Sequence, residues 1–564
     1  MNRRPYAWET SYPGGARWDA PIVTTTLQEM LDRAVAAHGE RPAYSYRDLT
    51  LTYRAFADLA ARAAAGLARL GIGRECAVAL LLPNTPWHPV SFFATLRAGA
   101  RVVHLSPLDA AREHAWKLAD SGARTLVTTN LFGLAATALR LLADGHVDRV
   151  IVGDDATWGP ADMPPDAFAE SANVIAFSRL LDAPPPPRWP AVSAEDVALL
   201  QYTGATAGTP KAVMLTHANL TASVASYREW LGGQARPGGG SDRVIMVLPL
   251  FHIYGLSAVM LRHLASGNEL MLRPRFDVAA VLHDIEVGGA TSFPGVPTMW
   301  IALASHPGIE ARDFSSLRVI GSGGAPLPVE MAERIRRIIG LPLPSGWGMT
   351  ETSPAGISPP QNGLPKPGTI GIPLPGIVVE VVAVDDPRRV LRPGEVGELR
   401  IKGANVMKGY WNRPNETAAA FVDGFFLTGD IGTMDTDGYF FLLDRKQDMI
   451  ISGGFNVYPV MVERAIYEHP DVEEALVIGV PDAYRGESAK AFVKLKAGAA
   501  PLTIEALRDF LSDKLGRHEL PTALEIRDSL PRTSVGKLSK RELIAEEQRK
   551  SATSRAPALT SERT

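Results

Sequence analysis

The sequence predicts an α/β protein: a large N-terminal domain of layered α/β subdomains plus a small β subdomain, followed by a small, mobile α+β C-terminal domain. Three observations carry this. The chain has 564 residues, more than one hydrophobic core organises, so at least two domains are expected. Up to about Pro373, short apolar β-like runs alternate with helical ones, as in a layered α/β fold. The texture then turns β-rich, and after Asp444 it changes again to a compact α+β segment. The domains expected are therefore 1–444 and 445–564.

In order, YRAFADLAARAAAGLARL (53–70) has apolar residues three and four apart and reads as a helix. AVALLLP (77–83), RVVHLSP, TLVTTN and RVIVGDD read as strands with helical segments between them. DAPPPPRWPAVS (182–193) is a linker or an exposed loop. A second alternating block runs from Asp196 and contains RVIMVLP (243–249), ELMLR (269–273), ATSFPG (290–295) and LRVIGSGG (317–324). IVVEVVAVDD, GEVGELRIKG and GYFFLLDR follow, separated by turn residues and no helix of length, and make the β subdomain. VEEALVIGV, KAFVKLKA, a helix around TIEALRDFLSDKL and PRTSVGKLSKREL make the C-terminal domain. The small polar residues of about 549–564 predict a disordered tail.

Composition excludes several classes. Hydrophobic residues at 46% and charged residues at 21% are ordinary for a soluble globular chain. A net charge of −3 gives no basic field for nucleic acid. One cysteine, Cys76, allows neither an intrachain disulfide framework nor a multi-cysteine zinc site. No apolar run follows the N-terminal arginines, so no secretory signal is read, and the most apolar stretches are too short to cross a bilayer. A cytoplasmic protein is expected, with peripheral membrane contact left open.

The stretch YTGATAGTPKAVMLTH (202–217) is the first with chemistry in it. Small residues let backbone N–H groups turn toward an anion, threonine hydroxyls add donors, and Lys211 adds a positive charge. The strand-like DVALLQY precedes it, and a helix beginning near Thr216 is expected to follow. The spacing of Gly204, Gly208 and Lys211 is not that of a Walker loop. A phosphate cradle and a surface turn are both open readings of this stretch alone. The chain contains no G-x-G-x-x-G, G-x-S-x-G or H-E-x-x-H pattern.

Further motifs follow in a fixed order: GWGMTET (346–352), LTGDIG (427–432), LLDRKQDMIISGGFNVYP (442–459) and PRTSVGK (531–537). With the 202–217 stretch, they make the chain resemble the adenylate-forming superfamily of acyl-CoA synthetases, adenylation domains and luciferases, from about Leu27 to Ile544. MIISGGFNVYP and the LQYTG lead-in are most similar to bacterial fatty-acyl-CoA ligases. The resemblance implies a two-step reaction. A carboxylate attacks the α-phosphate of ATP and expels pyrophosphate; the thiol of coenzyme A then attacks the acyl-adenylate and expels AMP.

The resemblance also implies roles. Thr203, Thr206, Gly208 and Lys211 would hold the β- and γ-phosphates, and Glu351 would hold Mg²⁺ with the Thr203 hydroxyl, hard oxygen ligands suiting that ion. Thr350 would reach the α-phosphate, Trp347 would stack on adenine, and Gly324 would let the base approach the backbone. Asp430 would bind the ribose hydroxyls with Arg445 in support. Lys537 would be catalytic, stabilising charge at the α-phosphate. His252 would gate the acyl pocket; a core histidine is the alternative. Asp444 would be the hinge of a C-terminal domain rotation that exchanges Lys537 for a pantetheine tunnel lined by the 452–454 stretch, including Gly453 and Gly454. The context of Lys537 resembles a P-x-x-x-x-G-K acetylation pattern, which implies a protein acetyltransferase and deacetylase as partners.

Departures from the family pattern are visible. Gly204 and Ala207 stand where hydroxyl residues are usual, Ala205 and Ala212 replace glycines, Gln447 replaces a lysine, and Trp347 replaces a tyrosine. The acyl pocket is expected in 252–261, 292–300, 322–328 and the start of 353–357, with Gly255, Gly295, Gly323 and Gly324 leaving open space. These segments hold no lysine, arginine or carboxylate, so an unbranched fatty acid of medium to long chain is the expected substrate. A dicarboxylate partnered by His252 or Arg262, an enzyme loading a carrier-protein thiol, and a non-catalytic nucleotide binder are the alternatives.

Overall fold

The structure is a computed structural model. It describes residues 5–160, 165–182, 184–186, 188–203, 210–232, 240–325, 327–360, 366–452, 455–482, 484–532 and 538–554.

Two sheets form the body of the large N-terminal domain. The first has the strand order Gly409–Tyr410, Lys211–Thr216, Val197–Thr203, Arg101–His104, Ala77–Leu81, Thr125–Thr129, Arg149–Gly153, Val174–Ala176. Its strands are parallel from Val197–Thr203 to Val174–Ala176, and antiparallel at the Lys211–Thr216 edge. The second has the order Val319–Ser322, Ser292–Gly295, Arg243–Met246, Glu269–Leu272, Pro42–Tyr46, Leu49–Thr52. The fully buried strands Ala77–Leu81 and Thr125–Thr129 read as near-continuous apolar or small residues, as central parallel strands do.

The helix expected at 53–70 is Tyr53–Arg69. Thr52 caps it by accepting from the Ala55 N–H, and it buries Tyr53, Phe56, Ala60, Ala63, Ala64 and Leu67 on one face. Here Gly66 permits a close crossing: a Cβ would lie 2.5 Å from the backbone of Leu180.

The β subdomain is antiparallel: Val378–Val382, Gly397–Lys402, Phe425–Met434 and Phe421–Val422, with Phe440–Arg445 also paired to Phe425–Met434. A single buried apolar cluster reaches from Trp8 to Phe440 and joins it to the body. The C-terminal domain is a separate sheet with its own buried clusters, one around Ile450, Val477, Val493 and Leu511 and a smaller one around Phe492 and Leu543.

One expectation is refined and one corrected. Within the 202–217 stretch, Lys211–Thr216 is a strand, antiparallel to Val197–Thr203, with Lys211 opposite Thr203, and the helix expected near Thr216 starts at His217. The alternation in KAVMLT satisfies a sheet edge before the chain can turn helical. The tail also begins later than expected, since the last helix, Arg541–Ser554, continues past 549; residues 555–564 lie outside the described residues.

Candidate active site

A cleft of about 870 Å³ opens near the carboxyl ends of Val197–Thr203, Ser292–Gly295 and Val319–Ser322, where ligands of open α/β sheets bind. Thr203, Lys211, His252, Gly324, Trp347, Thr350, Glu351 and Arg445 all line it.

The β subdomain supplies one wall. Asp430 and Arg445 face each other directly across two antiparallel strands. The Arg445 Nε lies 2.7 Å from Asp430 Oδ1, and the Trp347 indole N–H donates to Asp430 Oδ2 at 2.8 Å. Local sequence sets this up: Gly429 takes a left-handed φ of 70°, and the Thr428 hydroxyl accepts from the Asp430 N–H. Burial raises the pKa of the Asp430 carboxyl, against the lowering effect of Arg445. Glu398, not singled out in the sequence, braces the same turn. Its carboxylate accepts from the Gly429 N–H at 3.1 Å and pairs with Lys446 at 2.8 Å. Only the register of the neighbouring strand reveals it.

The 346–352 motif supplies the floor. Trp347 and Ile357 exchange backbone hydrogen bonds, and a short turn, Thr350–Thr352, presents Thr350 and Glu351. Asn405, a second residue missed in the sequence, clamps this turn by donating to the carbonyls of Thr352 and Ala355, each at 2.7 Å. The Glu351 side chain is buried, which raises its pKa, and it accepts from the Tyr410 hydroxyl at 3.1 Å. Among the described residues no cluster of three or more His, Cys, Asp or Glu could hold a metal by itself. One carboxylate and the Thr203 hydroxyl lining the same cleft fit an ion such as magnesium, which takes much of its coordination from phosphate oxygens and water.

Lys211 is half-exposed. Its ammonium pairs with Glu416 and lies 5.1 Å from the Tyr410 ring centroid. Thr206, Gly208, Gly453, Gly454 and Lys537 lie outside the described residues. Asp444 is buried. Its Oδ2 accepts from the Val460 N–H at 2.9 Å, near the start of helix Pro459–Tyr467, and its Oδ1 is 4.0 Å from Lys540.

At the other end, His252, Ile253, Tyr254, Ala258, Val259, Pro294 and Val319 line the cleft. The His252 Nδ1 accepts from the Tyr254 N–H at 3.2 Å. Three glycines expected to leave open space do something else. A Cβ on Gly255 would lie 2.3 Å from the Pro249 carbonyl oxygen, one on Gly295 would meet the Trp300 ring, and one on Gly323 would meet the Tyr254 ring. They allow close packing, so the side chains of Trp300 and Tyr254 occupy what the sequence suggested was free. This end is also more polar than expected. Tyr227 and Arg262 line it, with the guanidinium 5.5 Å from the Tyr227 ring centroid.

The AMP-binding enzyme family matches residues 31–411, and the AMP-binding enzyme C-terminal domain matches 461–537. The chain belongs to the AMP-binding enzyme family. A long-chain-fatty-acid–CoA ligase of Bacillus subtilis is 37% identical over 556 residues, covering 96% of this chain and 98% of that protein. A feruloyl-CoA synthase of Amycolatopsis sp. is 37% identical over 496 residues, covering 87% and 93%. Among solved structures, ATP-bound MatB from Rhodopseudomonas palustris superposes with a TM-score of 0.82 at 27% identity, over 93% of this chain and 99% of that one. The large N-terminal and small C-terminal domains are those of the family.

Proposed function

We propose that the protein is an ATP-dependent, AMP-forming acyl-CoA synthetase acting on medium- to long-chain fatty acids. The observation that carries this reading is one cleft with two unlike ends. Arg445, Trp347 and Glu351 line one part of it, with the buried Asp430 bonded to Arg445 and Trp347, and Ile253, Ala258 and Val259 line another. A carboxylate held between them has its apolar chain on one side and the α-phosphate on the other. Its oxygen attacks the α-phosphorus and the bond to pyrophosphate breaks. The thiol sulfur then attacks the acyl carbon and AMP departs with the carboxylate oxygen.

In this reading Asp430 accepts from the ribose hydroxyls while Arg445 and the Trp347 N–H fix its orientation, and the Trp347 face and Gly324 receive adenine. Thr203, Thr206, Gly208 and Lys211 take the phosphates, with Lys211 leaving Glu416 to do so, and Thr350 reaches the α-phosphate. Mg²⁺, when bound with nucleotide, neutralises phosphate charge; Glu351 and Thr203 would hold it. Lys537 stabilises the transition state of the first step. Asp444 divides the domains at 444/445 and serves as the pivot that brings Gly453 and Gly454 to the pantetheine path. Acetylation of Lys537 removes the charge the first step needs, and a cytoplasmic location is part of the same proposal.

The test is acid-dependent pyrophosphate exchange, followed by AMP release on adding coenzyme A, across a panel of carboxylic acids. Exchange without CoA-dependent AMP release rejects the ligase reading; neither activity with any acid rejects the enzyme. A second reading of the substrate, an aryl-propenoic acid, is favoured by Tyr227, Tyr254 and Arg262 in the acyl end and by similarity to a feruloyl-CoA synthase. A kcat/KM larger for ferulate than for dodecanoate establishes it over the fatty acid. Among the described residues, no helix is long and apolar enough to cross a membrane.

A further inference from the structure

We propose that Tyr410 is a positioning residue of the nucleotide site: its hydroxyl orients the Glu351 carboxylate for the metal, and its ring face holds Lys211 beside the phosphates. The inference rests on the functional reading above and names a residue that no motif considered so far contains.

Backbone geometry places Tyr410 between the two groups. Gly409–Tyr410 is a two-residue strand on the edge of the large sheet, antiparallel to Lys211–Thr216, with Tyr410 opposite Val213. Side chains two apart on a strand share a face, so Lys211 and Val213 point the same way, and Tyr410 lies on that face diagonal to Lys211. The Lys211 ammonium is 5.1 Å from the Tyr410 ring centroid. The hydroxyl at the far end of the ring donates to Glu351 Oε1 at 3.1 Å.

Hydrogen bonds hold this short strand on both sides. The Lys408 N–H donates to the Met214 carbonyl at 3.0 Å and the Trp411 N–H to the Ala212 carbonyl at 2.8 Å. The Tyr410 N–H donates to the Thr417 hydroxyl at 2.9 Å, and the Met407 N–H donates to the Glu351 carbonyl at 2.8 Å. A Cβ at Gly409 would lie 2.6 Å from Thr417, so only glycine permits this approach. Tyr410 is therefore held from its backbone rather than by the residues it touches in the site.

The chemistry follows from the donor count. A phenol has one hydrogen to give, and it goes to one oxygen of Glu351. A carboxylate has further lone pairs to offer a cation, and the hydrogen bond removes rotational freedom that a metal would otherwise have to remove. Lys211 shares a half-exposed ion pair with Glu416, a contact of little net energy, so phosphates displace Glu416 easily. The ring limits where the ammonium goes when they do.

Two variants separate the two roles. Tyr410→Phe keeps the ring and removes the hydroxyl; Tyr410→Leu removes both. The probes are Mn²⁺ and α,β-methylene-ATP, read by electron paramagnetic resonance for bound Mn²⁺ and by calorimetry for metal-free nucleotide. In Tyr410→Phe, Mn²⁺ in the ternary complex binds about tenfold more weakly, the scale of one lost hydrogen bond to a charged group, while metal-free nucleotide affinity is unchanged. In Tyr410→Leu, metal-free nucleotide also binds about threefold more weakly, the scale of one exposed cation–π contact. Unchanged Mn²⁺ binding in Tyr410→Phe overturns the proposal, and so does an equal loss of metal and metal-free nucleotide. The Phe variant is isosteric and decides the carboxylate role even where the Leu variant does not fold. Both readouts are binding measurements, so they stand or fall separately from acyl-CoA formation by the wild-type protein.

Discussion

The two ends of the cleft are built differently. At the end proposed for the nucleotide, Asp430, Arg445 and Trp347 are joined by charge-assisted contacts of 2.7–2.8 Å, and cross-strand register fixes who meets whom. At the end proposed for the acyl chain the wall is set by packing: Tyr254 fills the space that Gly323 leaves, and the buried Trp300 packs against Gly295. Directional bonds recognise one invariant ligand and tolerate little change. A packed wall measures volume and can be retuned one side chain at a time. A shared nucleotide with a variable acid is the division of labour this construction suits.

The largest effect tests whether the nucleotide end suffices for chemistry without the C-terminal domain. Lys537→Ala should slow adenylate formation by about 1,000-fold while leaving thioester formation from supplied acyl-AMP near wild type. Rapid-quench measurement of both half-reactions checks this, and equal losses in the two would end the division of roles.

Next comes the cost of the buried carboxylates. Glu351→Gln should lower metal-dependent adenylation by about 100-fold. It should also raise the Tm of the ligand-free protein. Burial raises the pKa of Glu351, so the folded state holds its proton more tightly than the unfolded chain does. Wild-type stability therefore falls as pH rises from the ordinary carboxylate range through the raised value. The glutamine variant should lose part of that slope, as should Asp430→Asn, and thermal unfolding across pH reads it. A slope unaltered in both variants would mean that folding does not raise the pKa of these groups.

A third test concerns the pivot. If Asp444 is the proposed pivot, Asp444→Pro should depress thioesterification roughly tenfold more than adenylation, since it fixes φ where the proposed rotation needs freedom. The structure sharpens this, because proline also removes the carboxylate that accepts from Val460 and faces Lys540. Asp444→Asn keeps the backbone free while removing the charge. Should it match the proline variant, the carboxylate and not the dihedral freedom is what matters at this position.

The smallest effect belongs to the acyl end. Each added methylene should raise kcat/KM about fourfold, from about 0.8 kcal/mol per buried CH₂, until the wall is reached. Gly323→Ala drives a Cβ against Tyr254 and should shorten the longest acid accepted without changing the KM for ATP. A flat length profile would break the contrast between the two ends.

The reach of the sequence follows the same physical line. Alternation of period 2 and period 3.6 is local, so the strands at 77–81, 125–129 and 243–246 and the helix at 53–69 were legible. So were Asp430, Arg445, Trp347 and Glu351, because each sits in a contiguous motif. Which strands share a sheet was not. Pro42–Tyr46 and Leu49–Thr52 belong to the first alternating block yet extend the sheet of the second, while Val197–Thr203 and Lys211–Thr216 cross the other way. Tyr410, Glu398 and Asn405 were invisible for a related reason: each touches the site from a strand or loop distant in sequence, and pairing across chain segments leaves no local period. The sequence alone determined the fold class, the family and the order of the motifs, since these depend on residue type and neighbours along the chain. Tertiary structure decided the shape of the acyl wall and the partners of the buried charges, because packing and long-range register are set only when distant segments meet.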